Sequence, residues 1–374
     1  IKDTIIQNYQ SFLYRSVIGA LGGNSYANSI VPTALRGKKS FKKIRKQFFY
    51  FRECLFEKDG FMFYRFLKIY LLTLLFYIPA FAESAPNELG KFLIITYHVI
   101  GEKDSAYTRT IQGFKDDLAL LKKGNYYPLK ISDLEKRNLN IPKGKKPVFI
   151  TLDDSSQSQF DMDEKGSISP NCAVGIMEDF KKKNPDFPLT ATFFILPGAK
   201  HPNNLFGQEK LTSKKLEFLT KNNYEIQNHT LWHANLKKYK DKIGEQIVES
   251  QKLLNKYLPD YKMTSLAMPF GIYPPKDYES KLVSGSYKGI EYKHILVFDY
   301  SNRPSYSPYD KEFDSIHVRR VQAFKDNIEK MIEKYSESPD SYVSDGDPNT
   351  ITFPKKFEDK LNLKFKEKLK VVTY

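Results

Sequence analysis

Two adjacent aspartates follow an apolar run in the stretch PVFITLDDSS, residues 147–156. The run 147–152 has the length and composition of a buried strand, and Asp153 and Asp154 stand at its carboxyl end. Two carboxylates at a strand end are costly unless a cation compensates their charge. The pair therefore indicates a metal site, although Asp and Ser are also common in solvated turns.

Short apolar runs alternate with longer amphipathic runs on both sides of this stretch. We predict strands over residues 92–98, 147–152, 191–196, 224–228, 265–268 and 294–298. We predict helices over residues 114–123, 173–183, 213–221, 242–257 and 324–335. Strands separated by helices predict a parallel sheet, and the number of units favours a closed or nearly closed α/β barrel. The functional residues of such a barrel lie where its strands end.

Two further motifs follow predicted strands. The stretch NHTLWH, residues 228–233, places His229 and His233 four residues apart, so that on a helical turn both imidazoles project from one face. The intervening residues include no glutamate, which disfavours a metalloprotease of the H-E-x-x-H kind. One aspartate and two histidines leave open positions on a metal, as a catalytic site requires. The stretch AMPFG, residues 267–271, predicts an irregular turn that can aim a backbone N–H outward.

Taken in order along the chain, these three motifs resemble those of the polysaccharide deacetylase family, whose domain is called the NodB homology domain. The resemblance covers about residues 91–323. It is especially close to one bacterial branch in the stretch DDSSQSQF, residues 153–160, and in PDF at 185–187 and ATFF at 191–194. The resemblance implies a distorted (β/α) barrel and the hydrolysis of an acetyl group on a polysaccharide.

The resemblance also implies a role for each motif residue. Asp153 corresponds to the catalytic base, and the metal ligands correspond to Asp154, His229 and His233. The implied cofactor is one divalent transition metal, with zinc the expected ion. Such a metal polarises the acetyl carbonyl and lowers the pKa of its bound water, while a carboxylate that is not a ligand takes the proton. In the third motif, Pro269 and the Phe270 N–H are expected on the substrate side, where the N–H stabilises the oxyanion.

Two positions depart from the common pattern of the family. Ala267 stands where many members have an arginine that pairs with the base, so we expect Arg320 to orient Asp153, with a surface charge as the other interpretation. A closing Leu-x-His element, which supplies the usual general acid, is also missing. The resemblance to the branch acting on poly-N-acetylglucosamine implies His98 as that acid, and His317 is its rival.

A secretory signal is predicted inside the chain. Residues 62–82 contain two cations, then the apolar stretch 69–78, then small residues. The apolar stretch is shorter than the ~20 residues of a membrane-spanning helix, so we expect a cleaved signal without stable membrane insertion. We therefore expect residues 1–61 to be upstream or mis-annotated sequence, the mature protein to begin near Glu83, and the protein to be periplasmic or secreted.

The net charge of +15 is unevenly distributed. Residues 1–82 contain 13 Lys or Arg against 4 Asp or Glu, whereas the remainder contains 46 against 40. Because the remainder has no basic block interleaved with aromatics, we expect no nucleic-acid partner. We assign residues 83–335 to the deacetylase domain and expect residues 336–374 to form a Lys-rich, partly ordered C-terminal appendage.

The sequence leaves three functions to be compared. The leading one is deacetylation of an N-acetylated sugar in an extracytoplasmic glycan, for which peptidoglycan, an exopolysaccharide and a lipopolysaccharide sugar are all compatible. The alternatives are an O-acetyl polysaccharide esterase and a catalytically silent carbohydrate-binding protein on the same fold. The complete set of Asp153, Asp154, His229 and His233 argues against the silent protein.

Overall fold

The computed structural model describes residues 85–137, 139–336 and 338–374. The predicted signal, the predicted upstream segment and Glu83 therefore lie outside the described residues. No helix in the described part of the chain combines the length and the apolar character needed to cross a membrane.

Strands and helices alternate along the described chain. The strands are β1 Leu93–Tyr97, β2 Val99–Gly101, β3 Thr108–Thr110, β4 Tyr126–Leu129, β5 Lys146–Asp153, β6 Thr192–Ile195, β7 Glu225–Asn228, β8 Ser265–Ala267, β9 Ser284–Tyr287, β10 Ile290–Lys293, β11 Leu296–Phe298, β12 Val321–Gln322, β13 Thr350–Phe353 and β14 Lys370–Thr373. The helices are α1 Ile111–Lys123, α2 Ile131–Glu135, α3 Ala173–Lys183, α4 Thr212–Lys221, α5 Ile243–Asn255, α6 Ser280–Val283 and α7 Asn327–Ser336. Every strand and helix predicted from the sequence is present.

Eight of the strands form one parallel sheet. Its order is β11-β8-β7-β6-β5-β1-β12, and β4 pairs with the first half of β5 while β6 pairs with the second half. The segment that ends in β12 connects the two edges of this sheet. Val318 bridges to Phe298 of β11, and Val321 pairs with Ile95 of β1. The sheet is therefore a distorted (β/α) barrel, as the sequence predicts.

Each central strand is buried on both faces, which is typical of parallel sheets. All eight residues of β5 are buried. Alternate residues of a strand point to opposite faces. Ile95 and Ile150 therefore pack in the core cluster that includes α1 and α3, whereas Ile94 and Phe149 pack in a second cluster on the other face.

The C-terminal segment differs from the sequence prediction. Instead of a partly ordered appendage, residues 338–374 contain the parallel pair β13–β14 and bury Tyr342, Ile351 and Phe353. These side chains belong to the same hydrophobic cluster as Ile94 and Phe149 of the barrel. The prediction was wrong because lysines are abundant in this segment and its apolar residues show neither the periodicity of a helix nor that of a strand.

Candidate metal centre and active site

The paired aspartates lie in a tight turn at the carboxyl end of β5. Asp154 has a φ of 78° and Ser155 has a φ of 46°, both in the left-handed region that residues other than glycine seldom adopt. The Ser155 hydroxyl accepts a hydrogen bond from Leu196 N (3.1 Å) and donates one to Asn203 O (3.0 Å). These contacts hold the turn, which directs Asp153 and Asp154 to different partners.

Asp154, His229 and His233 form a cluster that can hold a metal ion. One ligand atom from each residue lies within 4.8 Å of the other two. Asp154 Oδ1 is 3.4 Å from His229 Nε2 and 3.5 Å from His233 Nε2. His229 Nδ1 lies 2.9 Å from the carbonyl oxygen of Ala267, so the proton on Nδ1 donates there and Nε2 is left as a donor atom for a metal.

The chemistry of this cluster fits a cation. Asp154 Oδ1 is buried and has no hydrogen-bond partner among the described residues, which is costly unless an ion satisfies it. Burial opposes a positive charge on His229, but Asp153 and Asp154 prevail and raise its pKa. Burial, together with His229, lowers the pKa of His233 to about 4, which keeps that imidazole in the neutral, metal-binding form. The negative charges of Asp153 and Asp154 therefore favour a bound cation, and the neutral imidazole of His233 is available to bind it.

The two histidines project from a loop, whereas their spacing predicted a helical turn. Thr230 and His233 have φ angles of 73° and 63°. The loop is held by its own side chains, since Asn228 Oδ1 accepts from Thr230 N (2.8 Å) and the Thr230 hydroxyl accepts from Ala234 N (3.1 Å). The spacing correctly indicated proximity, but the turn that produces it is irregular.

Asp153 is paired with Arg320. Nη1 and Nη2 of Arg320 each donate to one Asp153 oxygen at 2.8 Å, and each residue is only 1% exposed. The guanidinium is held in turn by its Nε, which donates to the carbonyl oxygen of Asp299 (2.9 Å). Burial alone would raise the pKa of Asp153, but Arg320 and His229 lower it below its ordinary value. Asp153 is therefore an ionised carboxylate next to the metal cluster.

His98 follows β1 and reaches the same end of the barrel. Its ring packs edge-on against Tyr107 (5.3 Å between centroids) and Tyr300 (5.8 Å). Burial lowers the pKa of His98 below its ordinary value, against the opposing effect of Asp153 and Asp154. His98 therefore lies close enough to Asp153 and Asp154 to interact electrostatically with both carboxylates.

His317 has different surroundings. Its Nε2 lies 3.4 Å from a carboxylate oxygen of Glu279, and its ring packs on Tyr273 at 4.2 Å. Of the two candidate acids, His98 is the one that directly follows β1, whose neighbour β5 ends in Asp153.

The Pro-Phe-Gly motif forms a short 3₁₀ turn, Pro269–Gly271, which is separated from β8 by Met268 alone. Phe270 has a φ of 60°, and its N–H lies at the second position of the turn, where the turn itself supplies no partner. Gly271 has a φ of 65°, and a Cβ there would lie 2.6 Å from the Cβ of Tyr300. Glycine is therefore required for the close approach of this turn to Tyr300.

Two residues of the site were missed in the sequence analysis as functional positions. Gln159 is fully buried, and its Nε2 donates to the carbonyl oxygens of His98 (2.7 Å) and Asp153, which ties the ends of β1 and β5 together. Tyr300 packs on His98, and its hydroxyl is buried with no hydrogen-bond partner among the described residues. Tyr300 follows the predicted strand 294–298, so its place after a strand end was the available signal.

Comparison with known proteins gives a family match. Residues 140–280 match the family model described as polysaccharide deacetylase. That range contains Asp153, Asp154, His229, His233 and Phe270, whereas His98 and Arg320 lie outside it. No curated protein sequence matches the chain.

Three solved structures are similar to the chain. A polysaccharide deacetylase from Bacillus cereus has 18% identity and a TM-score of 0.49, covering 65% of this chain and 68% of its own. The deacetylase PplD of Streptococcus pyogenes, solved in complex with acetate, has 16% identity and a TM-score of 0.47, covering 65% and 97%. IcaB from Ammonifex degensii has 15% identity and a TM-score of 0.47, covering 67% and 98%. Residues 140–280 therefore match the polysaccharide deacetylase family, and the barrel of this chain carries that matched segment.

Proposed function

We propose that this protein is a metal-dependent deacetylase that hydrolyses the acetamide of an N-acetylated sugar within a glycan. The observation that carries the proposal is the ionised pair of Asp153 and Arg320 beside the cluster of Asp154, His229 and His233. A carboxylate that is held by an arginine and is separate from the ligand cluster suits a general base.

The metal that we propose is one divalent transition ion, most simply zinc, held by Asp154, His229 and His233. Two imidazoles and one carboxylate form a borderline donor set that suits Zn²⁺ and its neighbours in the series. When bound, such an ion polarises the acetyl carbonyl and makes a water molecule more acidic.

The chain's own residues then divide the remaining tasks. Asp153 accepts a proton from the attacking water, and Arg320 keeps both of its oxygens in position. The Phe270 N–H donates a hydrogen bond to the carbonyl oxygen as that oxygen becomes negative. His98, in its protonated form, donates a proton to the nitrogen as the C–N bond breaks, because a strongly basic amine leaves poorly without one. The products are acetate and the free amino sugar.

Acetate release from a panel of glycans tests this proposal. The panel contains peptidoglycan, oligomers of N-acetylglucosamine and an O-acetylated polysaccharide, each assayed with and without a chelator. We expect chelator-sensitive acetate release from an N-acetylated member. Release from the O-acetylated member alone would assign the protein as an esterase instead. Binding of a glycan without acetate release, in protein loaded with metal, would assign it as a silent carbohydrate-binding protein.

We further propose that the protein acts outside the cytoplasm. The support is the signal-like sequence over residues 62–82, with its cations, apolar stretch and small residues. N-terminal sequencing of the exported protein tests this, and we expect it to begin near Glu83. Recovery of mature protein that still contains residues 1–61 would contradict both export through this signal and the proposed start.

A further inference from the structure

Two aromatic rings project into solvent beside the candidate active site. Tyr107 and Phe270 are each 57% exposed, which is unusual for side chains of this size. The Phe270 ring lies 4.2 Å from the ring of His233, and the Tyr107 ring lies 5.3 Å from the ring of His98. Exposed apolar groups next to convergent polar groups mark a ligand-binding surface.

The two rings stand on different sides of the metal cluster. Phe270 follows β8, and Tyr107 belongs to the loop between β2 and β3, which continues from β1. In the barrel, β1 and β8 are separated by β5, β6 and β7, and the cluster projects from the ends of β5 and β7. A ligand placed over the cluster therefore has an aromatic ring on each side.

The Tyr107 loop is held in place before any ligand binds. The carbonyl oxygen of Tyr107 accepts from Val99 N (2.9 Å), and its N–H donates to the hydroxyl of Ser105 (3.2 Å). Two residues further on, Arg109 is buried and forms ion pairs at 2.7 Å with Asp117 of α1 and Glu329 of α7. Because a ring on a fixed loop loses little conformational entropy when it contacts a ligand, more of the interaction free energy contributes to binding affinity.

We propose that Tyr107 stacks on a sugar ring adjacent to the one that carries the acetyl group, so that the enzyme selects a glycan chain over a single sugar. A pyranose ring presents a flat face of C–H groups, which matches the flat apolar face of a tyrosine. Tyr107 packs on His98, which is not a member of the cluster, and this suits the neighbouring sugar, whereas Phe270 packs directly on His233 of the cluster. This inference rests on the proposed function, since it assigns the substrate class of the same site.

The test compares three variants with the wild-type protein. Tyr107→Ala removes the ring, and Tyr107→Phe keeps the ring without its hydroxyl. Tyr374→Ala is the matched control, because Tyr374 is also 57% exposed but hydrogen-bonds to Pro86 near the two ends of the described chain. The ligands are N-acetylglucosamine and its pentamers in β-1,4 and β-1,6 linkage. Calorimetric binding to the metal-loaded protein and acetate release are measured separately.

We expect Tyr107→Ala to weaken pentamer binding and to raise KM by roughly 10-fold, with kcat nearly unchanged, because the lost contact is made equally in the bound substrate and the transition state. Binding of the single sugar should not change. Tyr107→Phe and Tyr374→Ala should behave like the wild-type protein.

The outcomes separate this inference from the proposed function. Equal pentamer binding by the wild-type protein and Tyr107→Ala, or no pentamer binding by the wild-type protein, would overturn the stacking role. A loss in Tyr107→Phe as large as that in Tyr107→Ala would overturn it as well, since the hydroxyl would then carry the effect. Pentamer binding that depends on Tyr107 but yields no acetate would support the stacking role and overturn the deacetylase proposal instead.

Discussion

Replacing Arg320 with methionine should destabilise the protein in a way that depends on pH. The arginine makes two 2.8 Å hydrogen bonds to Asp153, and both residues are 1% exposed. Removing one partner of a buried ion pair leaves the other charge uncompensated and typically costs about 3 to 5 kcal/mol. For a protein of this size, such a loss lowers Tm by roughly 5 to 8 °C.

The pH dependence follows from the pKa of Asp153. In the wild-type protein this pKa is lowered by Arg320 and His229 against the effect of burial. The ionised carboxylate therefore stabilises the folded state when the pH is above the ordinary carboxyl pKa of about 3.9. This stabilisation is lost as the pH falls through the pKa that Asp153 has in the folded protein. In Arg320→Met, we expect burial, which Arg320 no longer opposes, to raise the pKa of Asp153, so that the free energy of unfolding of the variant falls as the pH rises, by at most about 1.4 kcal/mol per pH unit. The difference in the free energy of unfolding between the wild-type protein and Arg320→Met should be smallest near pH 4 and should increase toward pH 7.

Urea unfolding, followed between pH 4 and pH 7.5 in the presence of a chelator, measures this difference without a contribution from bound metal. Arg319→Met is the matched control, because Arg319 is partly exposed and its guanidinium stacks on Tyr306 at 4.3 Å, away from any buried carboxylate pair. A loss in the free energy of unfolding of Arg320→Met that does not change with pH would refute the role of Arg320 in compensating the charge of Asp153. A loss no larger than that of Arg319→Met would refute it as well.

Three further predictions concern the metal and the proton transfers. His229→Ala and His233→Ala should each lower both the bound metal, measured by elemental analysis, and the activity, whereas unchanged metal in both variants would remove them as ligands. Asp153→Asn should keep the metal and lose ~10²- to 10⁴-fold in turnover, and loss of the metal instead would make Asp153 a ligand. His98→Ala should lose most amide hydrolysis but less hydrolysis of an activated ester, whose leaving group needs no proton. Normal amide turnover in His98→Ala, with a collapse in His317→Ala, would exchange their roles.

The barrel could be predicted from the sequence because its strands are buried on both faces. The run 147–152 reads as continuous apolar sequence, and the observed β5, Lys146–Asp153, differs from it by one residue at each end. The hairpin of β9 and β10 was missed for the opposite reason. Its residues are mostly exposed and polar, so it leaves neither an apolar run nor a clear alternation.

The proximity of the candidate ligands was predictable from the sequence, but their backbone conformation was not. Adjacent aspartates and paired histidines after strands bring the side chains together in any parallel barrel, since all strand ends meet at one edge. The left-handed φ angles of Asp154, Thr230 and His233 could not be predicted, because they depend on hydrogen bonds to the surrounding chain. Tyr107 could not be singled out either, since a single loop tyrosine is common and nearby contacts such as the ion pair of Arg109 with Glu329 join residues far apart in the sequence.

The placement of Arg320 explains how this chain can lack an arginine at position 267. Many family members are expected to have, at this position at the end of β8, the arginine that forms an ion pair with the catalytic base. In this chain the position is Ala267, whose carbonyl oxygen accepts a hydrogen bond from His229 Nδ1. The final strand, β12, pairs with β1, and β1 pairs with β5, so residue 320 lies within reach of Asp153 across the barrel end. The segment that leads into β12 therefore supplies the charge that compensates Asp153. A chain that lacked this segment would lose the ion pair of Asp153 even if the matched residues 140–280 remained intact.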